Sequence, residues 1–410
     1  MKFNKWTLGL AAVGVVSLAS AAKAEEKASS VMTALSSTSL SGYVDTSAQW
    51  NFGTGNGRLP DYKFGGASKA DGFNLNTVQL RIEKPLDESE WAAGYRLDLW
   101  AGPDANILGT QSVFGSGSQA STGDFAVRQA YAALRMPVGN GIDWKMGVFD
   151  SIVGYESVES GNNPNHTRSY GHSIEPQTHT GLLASYRFND MFSASAGVAN
   201  TIGPAINERA HGPNPGTIAG LDDWTKAESY KTYMVSLAVT APEDLGFLSG
   251  STLYGGIVNG FTDSYGEAQT SYYVGSTLAT PVTGLRLGAA FDYLEIHDIG
   301  GETWTIAGYA SFQATEKLSL HLRGEYLRDR GDQKFFTFDS SDPTASTNPD
   351  RTLGVTATAQ YDLWKNVISR VEFRWDHSLS GEKVWGGTDE VGPGSLHNAW
   401  LLAANVIYKF

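Results

Sequence analysis

The sequence of 410 residues contains no cysteine. Disulfide bridges, thiolate metal sites and cysteine nucleophiles are excluded by that alone, as is a bacterial lipid anchor, which hangs its acyl chains on a cysteine. Charge is scarce: 18% of residues are charged, against roughly a quarter in an average soluble protein. The charges present sum to −13, and an acidic chain repels nucleic-acid phosphates, so no nucleic-acid partner is expected. Long apolar runs are missing as well. Beyond residue 24 no stretch reaches 18 apolar residues, which leaves no candidate for a membrane-crossing helix.

Glycine and aromatic residues are plentiful instead, with 47 glycines and 11% Phe, Trp and Tyr. The first residues read as an address: Lys2 and Lys5, an apolar stretch from Leu8 to Leu18, then Ala22-Lys23-Ala24 as a small-x-small cleavage pattern. Residues 1–24 are expected to be a secretory signal peptide, since the apolar stretch is too short to remain as a spanning anchor. Losing it removes three lysines and no acid, which makes the exported chain more acidic still. Residues 25–38 then form a short periplasmic lead-in, and residues 39–410 a single domain.

Along that domain every second side chain is apolar, as in Trp91-Ala93-Tyr95-Leu97-Leu99, Leu285-Leu287-Ala289-Phe291-Tyr293 and Trp304-Ile306-Gly308-Ala310-Phe312. This is strand periodicity. The intervening positions are polar or small, for example His321, Arg323 and Glu325, or Arg370, Glu372, Arg374 and Asp376. Connections alternate between short turns (Lys84–Ser89, Pro137–Asp143, Thr315–Lys317) and mostly longer, polar, glycine-rich loops (about 53–71, 102–123, 156–177, 329–351, 378–395). That alternation, with about sixteen strands between, predicts an all-β transmembrane antiparallel up-and-down barrel, with short periplasmic turns and long extracellular loops. A secreted propeller would show blade-length repeats, and a sandwich would need one core to cover every oily face; the sequence has neither property.

The chain ends on an apolar alternation, Trp400-Leu402-Ala404-Val406-Tyr408-Phe410. In hydrocarbon an open strand edge is not tolerated, so this strand must pair with the first. Val406, Tyr408 and Phe410 also resemble the carboxy-terminal signature by which barrel insertion machinery recognises outer-membrane proteins. Leu401 and Ile407 fall on the inward face of that strand, where polar residues are expected.

At "MGVFDSIVGYE" (Met146 to Glu156) and "PQTHTGLLASYRFND" (Pro176 to Asp190) the sequence resembles the putative β-barrel porin-2 family, described as OmpL-like. The match is carried by Gly147, Phe149, Asp150, Gly154, Tyr155, Glu156, Thr178 and Gly181. The resemblance implies a porin of the bacterial outer membrane and brings no agreed substrate with it.

Sixteen strands enclose a water-filled channel where eight would be plugged by side chains, so passive diffusion of ions and small hydrophilic solutes is the expected function. By analogy with porins of this size, the third long loop folds into the bore, which makes Glu156, Glu159, His166, Arg168, His172 and Glu175 candidates for a constriction; the alternative is a loop lying on the surface. Arg81, Arg96, Arg128, Arg323, Arg370 and Arg374 lie on inward-facing positions. They either face the loop's acids across the pore or simply pair with the interleaved Glu83, Asp98, Glu325, Glu372 and Asp376. Acids in the long loops (Asp222, Asp223, Asp339, Asp342, Asp350, Asp389, Glu390) give an acidic outer mouth or ordinary loop solvation. His166, His172 and His179 lack the short spacing of zinc ligands, so neither metal nor cofactor is expected. Outer-membrane lipid, lipopolysaccharide and a homotrimeric assembly complete the expected partners. The competing functions are a hydrolase at the barrel rim, for which His321 near Glu325 or His377 near Asp376 would be recruited without a nucleophile motif, and a non-conducting adhesin or structural barrel.

Overall fold

The computed structural model describes residues 37–53, 55–110, 123–210, 229–261, 268–297, 301–330, 335–339, 342–346, 349–387 and 394–410. The leader and the lead-in up to residue 36 lie outside these residues, as do Asp222, Asp223, Asp389 and Glu390. The strands run in chain order as β1 (Ser39–Asn51), β2 (Gly72–Lys84), β3 (Ala93–Ala101), β4 (Phe125–Met136), β5 (Ile142–Asp150), β6 (Thr178–Arg187), β7 (Phe192–Ala199), β8 (Thr232–Thr240) and β9 (Thr252–Phe261). They continue as β10 (Ala268–Ala279), β11 (Leu285–Ile296), β12 (Gly301–Gln313), β13 (Leu318–Arg330), β14 (Thr337–Asp339), β15 (Asp342–Ser346), β16 (Arg351–Tyr361), β17 (Val367–Ser378) and β18 (Asn398–Lys409). Strands β14 and β15 pair only with each other, as a hairpin in the loop after β13; the other sixteen form one closed antiparallel barrel.

Closure follows from the terminal patterning. β18 pairs with β1 in the register Val44↔Tyr408 and Thr46↔Val406, and Gly42 and Phe410 exchange both backbone hydrogen bonds at 3.0 Å. A side chain at position 42 would run into the Phe410 ring, so the glycine lets the last residue seal the seam. Val406, Tyr408 and Phe410 point outward, together with Trp50, Phe73, Leu237, Val274, Ile306, Leu322 and Phe373. That continuous apolar surface is the side meant for lipid.

The wall is uneven in height. β12 and β13 have 13 residues each, whereas β7 has 8 and β8 has 9. Tall strands carry a belt of outward aromatics near the loop end, in which Phe291, Trp304 and Tyr326 follow one another at ring separations of 6.2 and 5.3 Å. Such rings sit where hydrocarbon meets headgroup.

Candidate functional site

The loop between β5 and β6, residues 151–177, starts within the first quoted motif and folds into the barrel. Gly154 adopts φ +116°, and a side chain there would collide with the Glu175 carboxylate, so the loop turns inward at a residue that must lack one. On either side of that turn the motif anchors itself. Phe149 is fully buried, Asp150 accepts from Arg128 at 2.7 Å, and Tyr155 stacks on Tyr309 of β12 at 4.1 Å.

All six loop candidates, Glu156, Glu159, His166, Arg168, His172 and Glu175, end up inside the barrel. Glu156 accepts from Arg323 at 2.8 Å and from the Tyr309 hydroxyl at 3.3 Å, while its other oxygen takes the Ser169 amide at 2.8 Å. Glu159 is gripped by Arg81, by Arg96 at 3.3 Å and by Arg128 at 3.4 Å. Burial alone would raise the Glu159 carboxyl, yet the charges of Arg128, Arg81 and Arg96 hold it below its ordinary value. The acids of the loop and the arginines of the wall are therefore in direct contact. The arginine set makes contacts of both kinds, with the loop's Glu156 and Glu159 and with the wall's Asp98, Glu325 and Asp376.

Arg370 differs: it donates to Gln360 at 3.0 Å and to the loop carbonyls of Ser160 and Asn163 at 3.1 and 2.6 Å. Arg374 pairs with Asp376 at 2.9 Å, donates to the Arg168 carbonyl at 2.7 Å and lies 3.9 Å from the Tyr62 ring centroid. Arg168 itself spends its guanidinium on the carbonyls of Val158 and His166, at 2.8 and 3.1 Å. Backbone amides complete the docking, since His166 and Thr167 donate to Glu372 at 2.5 and 2.9 Å and Tyr170 donates to Glu325 at 2.7 Å.

Burial sets the protonation of the remaining candidates. His166 is pushed down to about 4 by desolvation, against the pull of Glu372. His172 is held well below the ordinary imidazole value by burial and then by the Arg168 and Lys63 charges, so it is neutral; its Nδ1 lies 3.7 Å from Glu175. Glu175 is raised well above a normal carboxyl by burial and then by Asp292 of β11, which keeps it protonated.

Sequence reasoning missed a second inward loop. The loop after β1 carries Tyr62 and Phe64 into the barrel, where Tyr62 joins Tyr170, Ile174, Leu294, Leu327 and Phe336 in an apolar cluster, and Phe64 packs against Trp100 at 5.9 Å. The signal was present as two aromatics in an otherwise polar connection. Leu401 and Ile407 also find their reason: Ile407 is fully buried with Tyr43, Trp100 and Val158 of the third loop, and Leu401 lies beside Leu59, Pro60 and Tyr62.

Unfilled space remains on the opposite side. A cavity of about 890 Å³ lies against the periplasmic half of β6 to β10. Its wall is made of Ser185, Ser195, Ser236, Tyr254, Tyr273 and Thr277, with Arg135, Asp143, Arg187 and Asp190 at the rim. It ends at Ile152, Gly154 and Tyr155 of the third loop, where Ile152 and Val153 pack with Leu183, Met234 and Val258 from the inward faces of β6, β8 and β9.

Comparison with solved structures places this architecture. The outer-membrane channel DcaP of Acinetobacter baumannii matches with a TM-score of 0.56 at 10% identity, covering 91% of this chain and 97% of its own. An anion-selective porin from Comamonas acidovorans matches at 0.54 and 12% identity, over 91% and 99%. Pseudomonas putida OprB also gives 0.54 and 12%, over 93% and 96%. No curated protein sequence matches the chain. At such identities the likeness is one of fold, and membership rests on the sequence itself, which matches the model of one family over residues 37–410. The chain belongs to the family described as putative β-barrel porin-2, OmpL-like, and is a porin of the bacterial outer membrane.

Proposed function

We propose that this porin is a narrow diffusion channel in which residues 151–177 form the constriction and small hydrophilic solutes travel along the β6–β10 side of the bore. The observation that carries this reading is the division of the interior. The charged half of the wall is consumed in holding the loop, whereas the wall of the cavity carries the hydroxyl side chains Ser185, Ser195, Ser236, Tyr254, Tyr273 and Thr277, with charges at its periplasmic rim. Wall arginines that are buried beneath a loop cannot act as a filter for ions in water. Their task is to fix the loop's position, and the loop's apolar segment Ile152–Val153 sets how much water and solute pass. Passage requires no bond chemistry, so the reading is of transport and not of a hydrolase.

Assembly as a homotrimer belongs to the same reading. The low wall at β7 and β8 is the poorest match to a full bilayer thickness, and a neighbouring copy would cover it; the OmpT of Vibrio cholerae, a fold relative at 11% identity, is described in a trimer form.

Planar-bilayer recording of the purified protein tests the channel. Discrete conductance steps are expected, smaller than those of an unobstructed sixteen-stranded bore, together with swelling of protein-loaded liposomes in small neutral sugars. A folded barrel that gives neither steps nor swelling rules out the channel and favours a structural barrel.

A further inference from the structure

On the outer surface, three arginines gather where the tall wall meets the extracellular leaflet. Arg328 and Arg330 follow Tyr326 on the outward row of β13, and Arg351 opens β16 directly opposite Arg328 in register. Tyr326, Arg328, Arg330, Asp350 and Arg351 line one open cavity of about 340 Å³. Like charges placed directly opposite on neighbouring strands destabilise a sheet, and the backbone holds them there firmly: the Asp329 amide donates to the Asp350 carbonyl at 3.0 Å, the Leu379 amide to the Arg351 carbonyl at 2.9 Å, and the Arg351 amide to the Ser380 hydroxyl at 3.0 Å.

No ion pair neutralises the three guanidiniums among the described residues. Glu302 stands opposite Arg330 in register but outside ion-pair distance, and Asp350 is the one carboxylate lining the cavity. Each of the inward arginines of the third-loop site donates to protein carboxylates or carbonyls, so this outward trio stands apart. Its height is also defined. Tyr326 belongs to the aromatic belt with Trp304 and Phe291, and Arg328 lies two residues beyond it, or roughly 6–7 Å along the strand. A belt marks the hydrocarbon boundary, so the guanidiniums reach the level of the headgroups.

We infer that Arg328, Arg330 and Arg351 form a binding site for the phosphate of an outer-leaflet lipid, whose acyl chains lie against the apolar rows below. Guanidinium suits this ligand because its planar fork donates two parallel hydrogen bonds to phosphate oxygens, and the bound dianion removes the repulsion between Arg328 and Arg351. The site depends on the barrel's membrane placement and not on conduction, so it survives even if the channel reading fails.

The test measures binding of fluorescent diphosphoryl lipid A to the detergent-solubilised full-length barrel, beside a fully dephosphorylated analogue and free inorganic phosphate as competitor. Wild type is expected to bind the diphosphoryl lipid at least tenfold more tightly than the dephosphorylated one, and R328Q/R351Q to lose that tenfold preference. R328K/R351K should retain part of it, and R187Q, a change of charge at the periplasmic end, should retain all of it. A heat-dependent shift of the folded band on gels verifies that each variant is a closed barrel. Equal binding of the lipid by wild type and R328Q/R351Q overturns the site. Displacement of the lipid by an equal concentration of inorganic phosphate overturns the lipid assignment in favour of a soluble anion.

Discussion

Replacing Arg323 by Gln is the sharpest probe of what the buried arginines do. Arg323 makes hydrogen bonds to Glu156 at 2.8 Å, Glu325 at 3.1 Å, the Thr167 carbonyl at 2.7 Å, the Thr167 hydroxyl at 3.2 Å, the Arg168 carbonyl at 3.2 Å and the Thr356 hydroxyl at 3.1 Å. Most of these reach the third loop and not the wall. Glu325 keeps a second guanidinium, Arg374, at 3.4 Å, but Glu156 loses the cation with which it pairs. Leaving a buried charge without its partner costs about 3–5 kcal/mol. The loop can escape that cost by undocking, because Glu156 sits on it and would reach water. A penalty of this size raises the undocked population by roughly two to four orders of magnitude.

The strand pairing of β13 uses backbone groups and is untouched, so the barrel itself should still fold, as in other cases of sub-global opening. The expected result in planar bilayers is a larger and noisier single-channel conductance for R323Q, with an unchanged folded band on gels. If amplitude and noise stay at the wild-type level while the reversal potential under a salt gradient moves, Arg323 faces the water path and the docking argument is wrong.

Three further outcomes follow from the same geometry. Val153→Ser places a hydroxyl among Met234, Leu183 and Val258, at a cost of about 1–3 kcal/mol; it should wet the apolar segment and raise conductance without moving the reversal potential. His166 is neutral when docked, with its value lowered from 6.5 to about 4. The undocked loop therefore binds more protons between those values, and docking that is complete above pH 6.5 weakens as pH falls toward 4, by ~3 kcal/mol at most. Channel noise should grow in that window, and His166→Gln should flatten the change. Deleting Phe410 removes both hydrogen bonds at the seam with Gly42 and the terminal signature, so the folded fraction recovered from outer membranes should fall severalfold; an unchanged yield would show that β1 and β18 close without it.

Strand number and closure were legible because they rest on period-two patterning and loop length, which local sequence carries, whereas the inward path of the third loop was expected by analogy alone. The partners of the charged side chains were less so. Arg81, Asp98 and Arg96 could be put on adjacent strands from alternation alone, whereas the meeting of Arg81, Arg96 and Arg128 around Glu159 depends on where a loop lands. Alternation gives the direction of a side chain and is silent about what covers it.

The exceptions to alternation carry that missing information. A side chain facing the bore of a wide barrel either meets water or meets another part of the chain, and an apolar one gains only from the second. Leu183, Met234, Val258, Leu294, Leu327, Leu401 and Ile407 all break the polar inward rule, and all are buried or lie under the two inward loops. The neutral hydroxyl row Ser185, Ser195 and Ser236 obeys the rule and lines the cavity. Inward apolar residues thus trace the footprint of the plug, and the small polar ones trace the route left for solute. By this reasoning, converting Met234 or Val258 to serine extends the polar row beneath Ile152–Val153 and shifts the balance from plug toward passage.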